Sequence, residues 1–327
     1  PWNFPIAMIT RKVAPAYAAG CSFVIKPSEH TPLCAIALAY LADKAGFVKG
    51  ALNVVVSENA KMVGEIMTES ERVRKFTFTG STAVGKQLLS QCASTIKQTS
   101  MELGGNAPFI IFENADLDEA VAGLMGAKFR NAGQTCVAAN RIFVQRSVLE
   151  TVLEKLTDKV AELKVGNGLD DGVDIGPLIY PKAKQKVQTL VQDAVDKGAS
   201  LIGDNSELEG SFQAPLILTD VTPEMDIYHD EVFGPVVSII AFDDEQEVLQ
   251  LANDVPYGLA AYFYSENIKQ VYRVSEALEY GMIGINEGLI SNPVAPFGGV
   301  KQSGLGREGG HQGLDEYLEE KYLCVKV

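Results

Sequence analysis

Short apolar runs alternate with segments of helical periodicity in the first third of the chain. The apolar runs predict buried strands over residues 21–25, 52–56, 75–79 and 106–112. Apolar residues at helical spacing predict helices over residues 6–19, 31–46, 60–68 and 83–95. This rhythm is typical of βαβ units, so we expect an α/β fold with a parallel sheet and helices on both faces.

The same alternation continues beyond residue 116 and predicts a second α/β unit. Helices are predicted over residues 117–129, 148–163, 181–197, 245–253 and 269–278. Strands are predicted over residues 141–144, 216–218, 236–242, 260–264 and 282–286. A Gly- and Pro-rich segment over residues 288–310 predicts a long ordered loop of the kind that often serves function. Residues 317–327 alternate as a strand, and their apolar face predicts an edge that pairs with a partner chain.

Composition excludes several classes of function. The chain has 327 residues and 46% hydrophobic content, which is enough for a large core and favours two domains. Its net charge of −14, without a basic stripe, argues against nucleic-acid binding, because phosphate neutralisation needs clustered Lys and Arg. Since no apolar run has membrane-spanning length and no signal peptide is visible, we expect no membrane partner and a cytoplasmic location.

The numbers and spacing of the cysteines and histidines argue against disulfide bonds and against a bound metal ion. The five cysteines are scattered, odd in number and without a C-x-x-C pair, so neither a disulfide framework nor a zinc site is expected. The three histidines have no ligand spacing. The chain opens abruptly at Pro1, without Met, so we expect the natural N-terminal region to be missing and N-terminal targeting cannot be judged.

One cysteine has neighbours that are unusual for a core position. Cys136 ends the stretch KFRNAGQTC and directly follows Gly133, Gln134 and Thr135. A lone cysteine is often a buried hydrophobe. In this polar setting it is also a candidate nucleophile, since accessible cysteines of low pKa attack carbonyl groups. Such attack needs an oxyanion donor, and Asn3 is a possible one.

A carboxylate lies upstream in the stretch MELGGNAP. Glu102 stands between Met101 and Leu103, and burial in such a setting raises a carboxyl pKa and makes a general base near neutral pH. The alternative interpretation is a carboxylate at a helix end or on the surface.

Two strand ends carry candidate cofactor contacts. The stretch GSTAVGK, residues 80–86, follows a predicted strand and opens a helix, where backbone N–H groups favour anions. It nearly spells a P-loop, but Gln87 replaces the hydroxyl residue that would hold Mg²⁺, so a P-loop NTPase is disfavoured. Lys26 and Glu29 in the stretch KPSE could bind the hydroxyls of an adenosine ribose. The alternative interpretation of residues 80–86 is an ordinary strand-to-helix turn, and that of the KPSE stretch is a solvated loop.

Taken together, these stretches resemble motifs of the NAD(P)-dependent aldehyde dehydrogenase superfamily. The resemblance covers nearly the whole chain and rests on the ordered motifs PWNFP, KPSE, FTGS, MELGG, GQTC, EVFGP and PFGG. Within the superfamily, the stretches MITRK, KFRNAGQTC, GINEGLISN and SGLGRE are most similar to succinate-semialdehyde dehydrogenases.

The resemblance implies a catalytic role for several residues. Cys136 would attack the aldehyde to give a thiohemiacetal, with Asn3 and the Cys136 backbone N–H holding the oxyanion. Glu102 would activate water to hydrolyse the resulting thioester, and Glu308 would assist as a relay. Hydrolysis by water makes a CoA-acylating enzyme the less favoured variant.

The resemblance also implies binding residues for cofactor and substrate. The cofactor residues would be Lys26, Ser28, Glu29, Gly80, Ser81, Gly85, Leu103, Glu231 and Phe233. Glu29 favours NAD over NADP, because a carboxylate accepts from a ribose 2′-hydroxyl and repels a 2′-phosphate. Arg11, Arg130 and Ser291 would hold the distal carboxylate of a semialdehyde, since the guanidinium fork binds carboxylates with two hydrogen bonds.

The resemblance further implies a domain plan and an assembly. Residues 1–103 would form a partial Rossmann-type cofactor domain, residues 104–303 the catalytic domain, residues 304–316 a return segment, and residues 317–327 an oligomerisation strand of a homodimer or homotetramer. Ala138 stands where many relatives carry a second cysteine, so no local disulfide switch is expected. Two alternatives stay open, namely another semialdehyde such as glutarate semialdehyde and a catalytically silent truncated homologue.

Overall fold

Two contact-dense units divide the chain in the computed structural model, which describes residues 1–206 and 208–327. Unit 1 comprises Pro1–Leu103, Ser291–Gly298 and Gly304–Val327, and unit 2 comprises Gly104–Ile290 and Gly299–Ser303. These contact units place residues 291–298 in unit 1, and the functional domain boundaries expected from the sequence stay a prediction.

Helices and strands alternate along most of the chain. The helices are α1 (Pro5–Ala18), α2 (Pro32–Lys44), α3 (Ala60–Glu69), α4 (Thr82–Cys92), α5 (Leu117–Phe129), α6 (Leu149–Ala161), α7 (Pro181–Asp196), α8 (Asp226–His229), α9 (Glu245–Asn253), α10 (Ile268–Ala277) and α11 (Gln312–Asp315). The strands are β1 (Phe23–Ile25), β2 (Leu52–Val54), β3 (Lys75–Thr79), β4 (Gln98–Glu102), β5 (Ala107–Ile111), β6 (Ala139–Gln145), β7 (Ser200–Ile202), β8 (Leu216–Thr219), β9 (Val236–Phe242), β10 (Tyr257–Gly258), β11 (Ala260–Tyr264), β12 (Met282–Ile285), β13 (Val300–Lys301) and β14 (Gly304–Leu305). Short 3₁₀ turns follow at Ala93–Thr95, Arg130–Gly133 and Arg146–Val148.

The described strands of unit 1 form two small sheets rather than the single parallel sheet expected from the sequence. Strands β1 and β2 pair in parallel, and β4 lies between a parallel β3 and an antiparallel β14. Strand β4 escaped sequence analysis because only Met101 among its residues is strongly apolar. Long-range pairing on both sides makes this polar segment a strand, and it ends at Glu102.

Unit 2 is built on a seven-stranded sheet of order β12-β11-β5-β6-β9-β8-β7, in which only the β7–β8 pair is antiparallel. Every residue of β5 and β11 is buried, as expected for parallel strands covered on both faces. The predicted strand over residues 106–112 is therefore an inner strand of the unit 2 sheet, not part of the first sheet. Helix α5 has the predicted bounds, and β6 runs from the segment that contains Cys136.

The C-terminal segment, residues 317–327, carries no strand in this single chain, and most of it is exposed. A strand is defined by pairing, so the expected oligomerisation strand stays a prediction. Within the described ranges, no helix is long and apolar enough to cross a membrane. The same residues contain no group of three or more His, Cys, Asp or Glu side chains that could hold a metal ion.

Candidate active site

The turn before Cys136 has an unusual backbone. Helix α5 ends at Phe129, and Asn131, Ala132 and Gly133 then follow in the left-handed region with φ of 54°, 56° and 74°. Such conformations cost free energy in residues other than glycine and persist only where packing imposes them. A Cβ atom on Gly133 would lie 2.3 Å from the carbonyl oxygen of Gly234. Only glycine therefore fits at this position.

Cys136 is the one residue that is partly exposed to solvent in an otherwise buried stretch of the chain. All residues from Ala132 to Val144 are buried except Cys136, which is half-buried. None of the five cysteines in the described part of the chain forms a disulfide. This exposure favours the nucleophile hypothesis over a purely structural cysteine.

Hydrogen bonds fix the loop on both sides of Cys136. The Gln134 side chain accepts from the Ile179 N–H at 2.9 Å and donates to the Asn131 carbonyl at 3.2 Å. The Tyr262 hydroxyl donates to the Val137 carbonyl at 2.7 Å. The loop is thus held by contacts that leave the cysteine side chain itself partly accessible.

Glu102, in unit 1, is a buried carboxylate at the end of β4. Its residue surface is only 3% exposed, and neither carboxylate oxygen has a hydrogen-bond partner among the described residues. Burial raises the pKa of Glu102 well above its usual range, and the charge of Glu308 raises it further. Lys12, and more weakly Arg11 and Arg307, oppose this rise. The surface-carboxylate alternative does not describe this residue.

The carboxylate of Glu308 forms a buried ion pair with Lys12. Lys12 also donates to the Thr77 hydroxyl at 3.1 Å, whereas the second Glu308 oxygen has no hydrogen-bond partner among the described residues. Sequence analysis missed Lys12. The available signal was its spacing of four residues from Met8, which places a lysine on the buried face of α1.

Arg11 and Glu308 share one anchor, Phe297 of the PFGG motif. The backbone groups of Phe297 and Glu308 bond reciprocally, at 2.6 and 2.7 Å. The Arg11 guanidinium lies over the Phe297 ring, 4.1 Å from its centroid. In the same motif, a Cβ on Gly298 would lie 2.9 Å from a carboxylate oxygen of Glu102, so the loop backbone packs closely against this carboxylate.

A cavity of about 490 Å³ in unit 1 is lined by Lys26, Ser28 and Glu29 together with Thr79 and Gln87. The Lys26 ammonium and the Glu29 carboxylate are 3.0 Å apart. A hydrogen bond from its own backbone, and then the bond from Lys26, lower the pKa of Glu29. The cavity therefore presents an ionised carboxylate to any ligand it binds, which fits the hydroxyls of a ribose.

The other expected cofactor residues of unit 1 lie next to Glu102 rather than among the residues lining the cavity. The Gly80 N–H donates to the Glu102 carbonyl at 3.0 Å, and the Ser81 side chain caps α4 by accepting from the Val84 N–H at 3.4 Å. A Cβ on Gly85 would lie 2.4 Å from the Leu103 side chain, so this glycine lets α4 approach the strand end.

Glu231, in unit 2, is a half-buried carboxylate whose Oε1 accepts from the Gly105 N–H at 3.3 Å. Burial raises the pKa of Glu231 to about 7, against the opposing effects of this hydrogen bond, Lys186 and Lys128. Lys128 is fully buried, and burial lowers its pKa to about 7 against the attraction of Glu231. Sequence analysis missed Lys128, although a lysine among the apolar residues of α5 was visible. Phe233 has a φ of 55°.

The remaining expected residues lie in both units. Asn3 in unit 1 is half-buried, Ser291 in unit 1 is exposed, and Arg130 in unit 2 is exposed at the end of α5. Unit 1 thus carries Glu102, Glu308, Arg11 and the cavity, and unit 2 carries Cys136, Arg130 and Glu231.

Known proteins share both this sequence and this fold. The chain is 56% identical to a 3-sulfolactaldehyde dehydrogenase of Pseudomonas putida, over 99% of this chain and 67% of that protein. It is 55% identical to the mitochondrial succinate-semialdehyde dehydrogenase of Arabidopsis thaliana, over 99% of this chain and 62% of that protein. A crystal structure of an aldehyde dehydrogenase from Brucella melitensis biovar abortus matches with a TM-score of 0.97 at 59% identity, over 99% of this chain and 67% of that chain.

The chain therefore spans about two thirds of the length of these relatives. The expected α/β fold is confirmed by the agreement with the Brucella structure. The sequence model of one family matches residues 1–323, which is nearly all of the chain. On this match, the chain belongs to the aldehyde dehydrogenase family.

Proposed function

We propose that the protein oxidises succinate semialdehyde to succinate with NAD(P)⁺. The observation that carries this proposal is the partial exposure of Cys136 within a run that is otherwise buried from Ala132 to Val144. A nucleophile must reach its substrate while its loop stays rigid, and this loop meets both requirements. Family membership supplies the reaction type.

Cys136 would act first, as the nucleophile. Its thiolate adds to the aldehyde carbon and forms a C–S bond, while the carbonyl oxygen becomes an oxyanion that accepts from Asn3 and from the Cys136 N–H. The nicotinamide cofactor would supply the acceptor for the hydride that the thiohemiacetal carbon loses. A thioester on Cys136 remains.

Glu102 would act second, as the general base. It takes a proton from a water molecule, whose oxygen attacks the thioester carbonyl and releases the acid and the Cys136 thiolate. Burial supports this role, because it raises the pKa of Glu102 towards the range where a carboxylate is an effective base at neutral pH. The Lys12–Glu308 pair would pass the proton onward from Glu102.

Arginine side chains would select an aldehyde that carries an anionic group. Arg11 is anchored on Phe297, and Arg130 is exposed at the end of α5. A guanidinium group binds a carboxylate with paired hydrogen bonds, so both side chains suit an anionic substrate group. Glutarate semialdehyde is the alternative substrate, because one additional methylene changes the reach of the carboxylate but not its charge.

The residues present fit a dinucleotide with a free 2′-hydroxyl. Glu29 would accept from the adenosine ribose, and its negative charge would repel a 2′-phosphate, so we propose a preference for NAD⁺. Lys26 would assist at the same ribose, Gly80 and Ser81 would lie on the pyrophosphate side, and Glu231 would bind the nicotinamide ribose. We also propose assembly of two or four copies through residues 317–327.

The experiment follows reduced-cofactor absorbance with succinate semialdehyde, glutarate semialdehyde and an uncharged aldehyde, each with NAD⁺ and NADP⁺. We expect turnover of the charged semialdehydes, loss of turnover in Cys136→Ala, and full turnover in the control Cys34→Ala, another half-buried cysteine. A full-length protein that reduces neither cofactor, or a Cys136→Ala variant as active as the wild type, would overturn the proposal.

A further inference from the structure

Two buried asparagine side chains in unit 2 bond directly to each other. The Asn140 amide nitrogen donates to the Asn106 amide oxygen at 2.7 Å. Asn106 is 1% exposed and Asn140 is 3% exposed. Buried side-chain amides are costly unless every polar atom is satisfied, so their remaining partners show what the pair does.

All remaining partners of this pair are backbone groups of one short segment, residues 228–232. Asn106 donates to the carbonyls of Tyr228 and His229, each at 3.0 Å. Asn140 donates to the Asp230 carbonyl at 2.9 Å and accepts from the Val232 N–H at 3.1 Å. Two side chains thus satisfy four backbone groups of a segment that runs from the end of α8 into an irregular loop, and these groups flank Glu231 in the sequence.

The same two asparagines belong to the segments next to Cys136 and Glu231. Asn106 follows Gly105, whose N–H donates to the Glu231 carboxylate at 3.3 Å. A Cβ on Gly105 would lie 2.4 Å from the Cys136 carbonyl oxygen. Asn140 lies four residues after Cys136, at the start of β6. The pair therefore joins the segment before β5, the cysteine loop and the segment of Glu231.

The direction of each hydrogen bond fixes which atom of each side-chain amide must donate and which must accept. Carbonyl oxygens face both amide nitrogens, and the Val232 N–H faces the Asn140 oxygen. A carboxylate at position 140 would keep the bond from Val232 but would turn a second oxygen towards two oxygen acceptors. Asn140→Asp is therefore nearly isosteric and still breaks the network.

We propose that the Asn106–Asn140 pair is a positioning device that holds the Glu231 carboxylate where it binds the nicotinamide ribose. This inference rests on the proposed function, because it takes Glu231 as a cofactor ligand. Asn106 and Asn140 are positioning residues, since they act on the cofactor only through Glu231 and its segment.

Fluorescence titration with NADH, and competition with ADP, test this role without turnover. ADP lacks the nicotinamide ribose and therefore does not reach Glu231. We expect Asn140→Ala, Asn140→Asp and Asn106→Ala to weaken NADH binding roughly tenfold, like Glu231→Gln, and to leave ADP binding unchanged. The double variant Glu231→Gln/Asn140→Ala should bind NADH no more weakly than Glu231→Gln alone.

Asn253 provides the matched control. Its side chain also bridges backbone groups of another segment, donating to the Ala277 carbonyl at 2.8 Å and accepting from the Glu279 N–H at 3.0 Å. Asn253→Ala should leave NADH binding unchanged. Asn140→Ser, which keeps a small polar group, provides a variant of milder effect should the others fold poorly.

Equal weakening of NADH and ADP binding would overturn the inference, and so would additive effects of Glu231→Gln and Asn140→Ala. Failure of the proposed function can be distinguished from failure of this inference, because the protein would then not oxidise aldehydes. NADH binding with the expected pattern would in that case still support the positioning role.

Discussion

Lys12 and Glu308 form a buried ion pair across a separation of 296 residues in the sequence. Both side chains are nearly excluded from solvent, at 10% and 6% exposure. They influence Glu102 in opposite directions, since Glu308 raises the pKa of Glu102 and Lys12 lowers it. The pair therefore influences the pH range in which the Glu102 carboxylate is ionised, which is the form that our proposed mechanism requires.

Glu308→Gln should change the pH profile of thioester hydrolysis. The acid limb of this profile, where the rate rises with pH, should move to lower pH. A general base works when it is ionised, so activity rises as pH increases through the raised pKa of Glu102. Removal of the neighbouring negative charge lowers that pKa, so we expect the rise of activity with pH to begin at lower pH. The pH profile of single-turnover hydrolysis measures it, with the exposed Glu319→Gln as control. An unchanged or upward-displaced limb would contradict the prediction.

Lys12→Met should have the opposite effect on the pH profile and a large effect on stability. Loss of the cation raises the pKa of Glu102, which moves the acid limb to higher pH. It also leaves the Glu308 carboxylate buried without its partner, which costs about 3–5 kcal/mol of unfolding free energy. The double variant Lys12→Met/Glu308→Gln should recover much of this loss in chemical denaturation. A double variant less stable than Lys12→Met would refute the pairing.

Lys128→Met should remove a pH dependence of stability. The folded-state pKa of Lys128 is lowered to about 7 from 10.5, so between these values the unfolded chain binds a proton that the folded chain does not. Wild-type stability relative to Lys128→Met should therefore rise with pH over this window, by up to about 1.4 kcal/mol per pH unit. Denaturation midpoints at pH 7 and pH 9 measure the difference. Parallel curves for the two proteins would exclude the effect.

Gly133→Ala should disable the cysteine loop. The added Cβ meets the Gly234 carbonyl at 2.3 Å, so the loop must shift, and a displacement near 1 Å costs about a hundredfold in rate. Gly20→Ala is the control, because Gly20 has a similar φ of 79° and no atom within 4 Å of its added Cβ. The rate of Cys136 alkylation and the turnover rate should fall only in Gly133→Ala. Equal effects of both substitutions would show that backbone strain alone is responsible.

Arg130→Ala should raise KM for succinate semialdehyde by about tenfold or more and leave KM for an uncharged aldehyde nearly unchanged. The guanidinium would bind the distal carboxylate, which the uncharged substrate lacks. The control is Arg146→Ala, because Arg146 is exposed and paired with Asp243. Equal changes in both KM values would remove Arg130 from the substrate site.

Local pattern predicted those elements whose apolar residues alone define them. Lys75–Thr79, Leu117–Phe129 and Val236–Phe242 have the predicted bounds, because apolar residues recur at strand or helix spacing through each element and a glycine or charged residue follows it. Strand Gln98–Glu102 was missed because its residues are mostly polar and its strand state depends on distant partners. Short strands such as Gly304–Leu305 were missed for the same reason.

The residues of the candidate site also divide into those that the local sequence indicates and those that only the folded structure reveals. Cys136 and Glu102 stand in distinctive local stretches, so the sequence alone pointed to them. The spacing from Met8 places Lys12 on the buried face of its helix, but no spacing rule connects Lys12 to its partner Glu308. Asn106 and Asn140 look like ordinary polar residues until their shared segment is known. Partners that meet only after folding leave no local pattern to read.

The discontinuous make-up of unit 1 has a consequence for synthesis in the cell. A growing chain emerges from the ribosome in sequence order, so Gly104–Ile290 are complete before Gly304–Val327 exist. Until Gly304 and Leu305 arrive, strand Gln98–Glu102 has an open edge, and Lys12 has no counter-ion. Strand Gln98–Glu102 therefore keeps an unpaired edge until residues 304 and 305 have been synthesised, and the charges that surround Glu102 are complete only after Glu308 has been added.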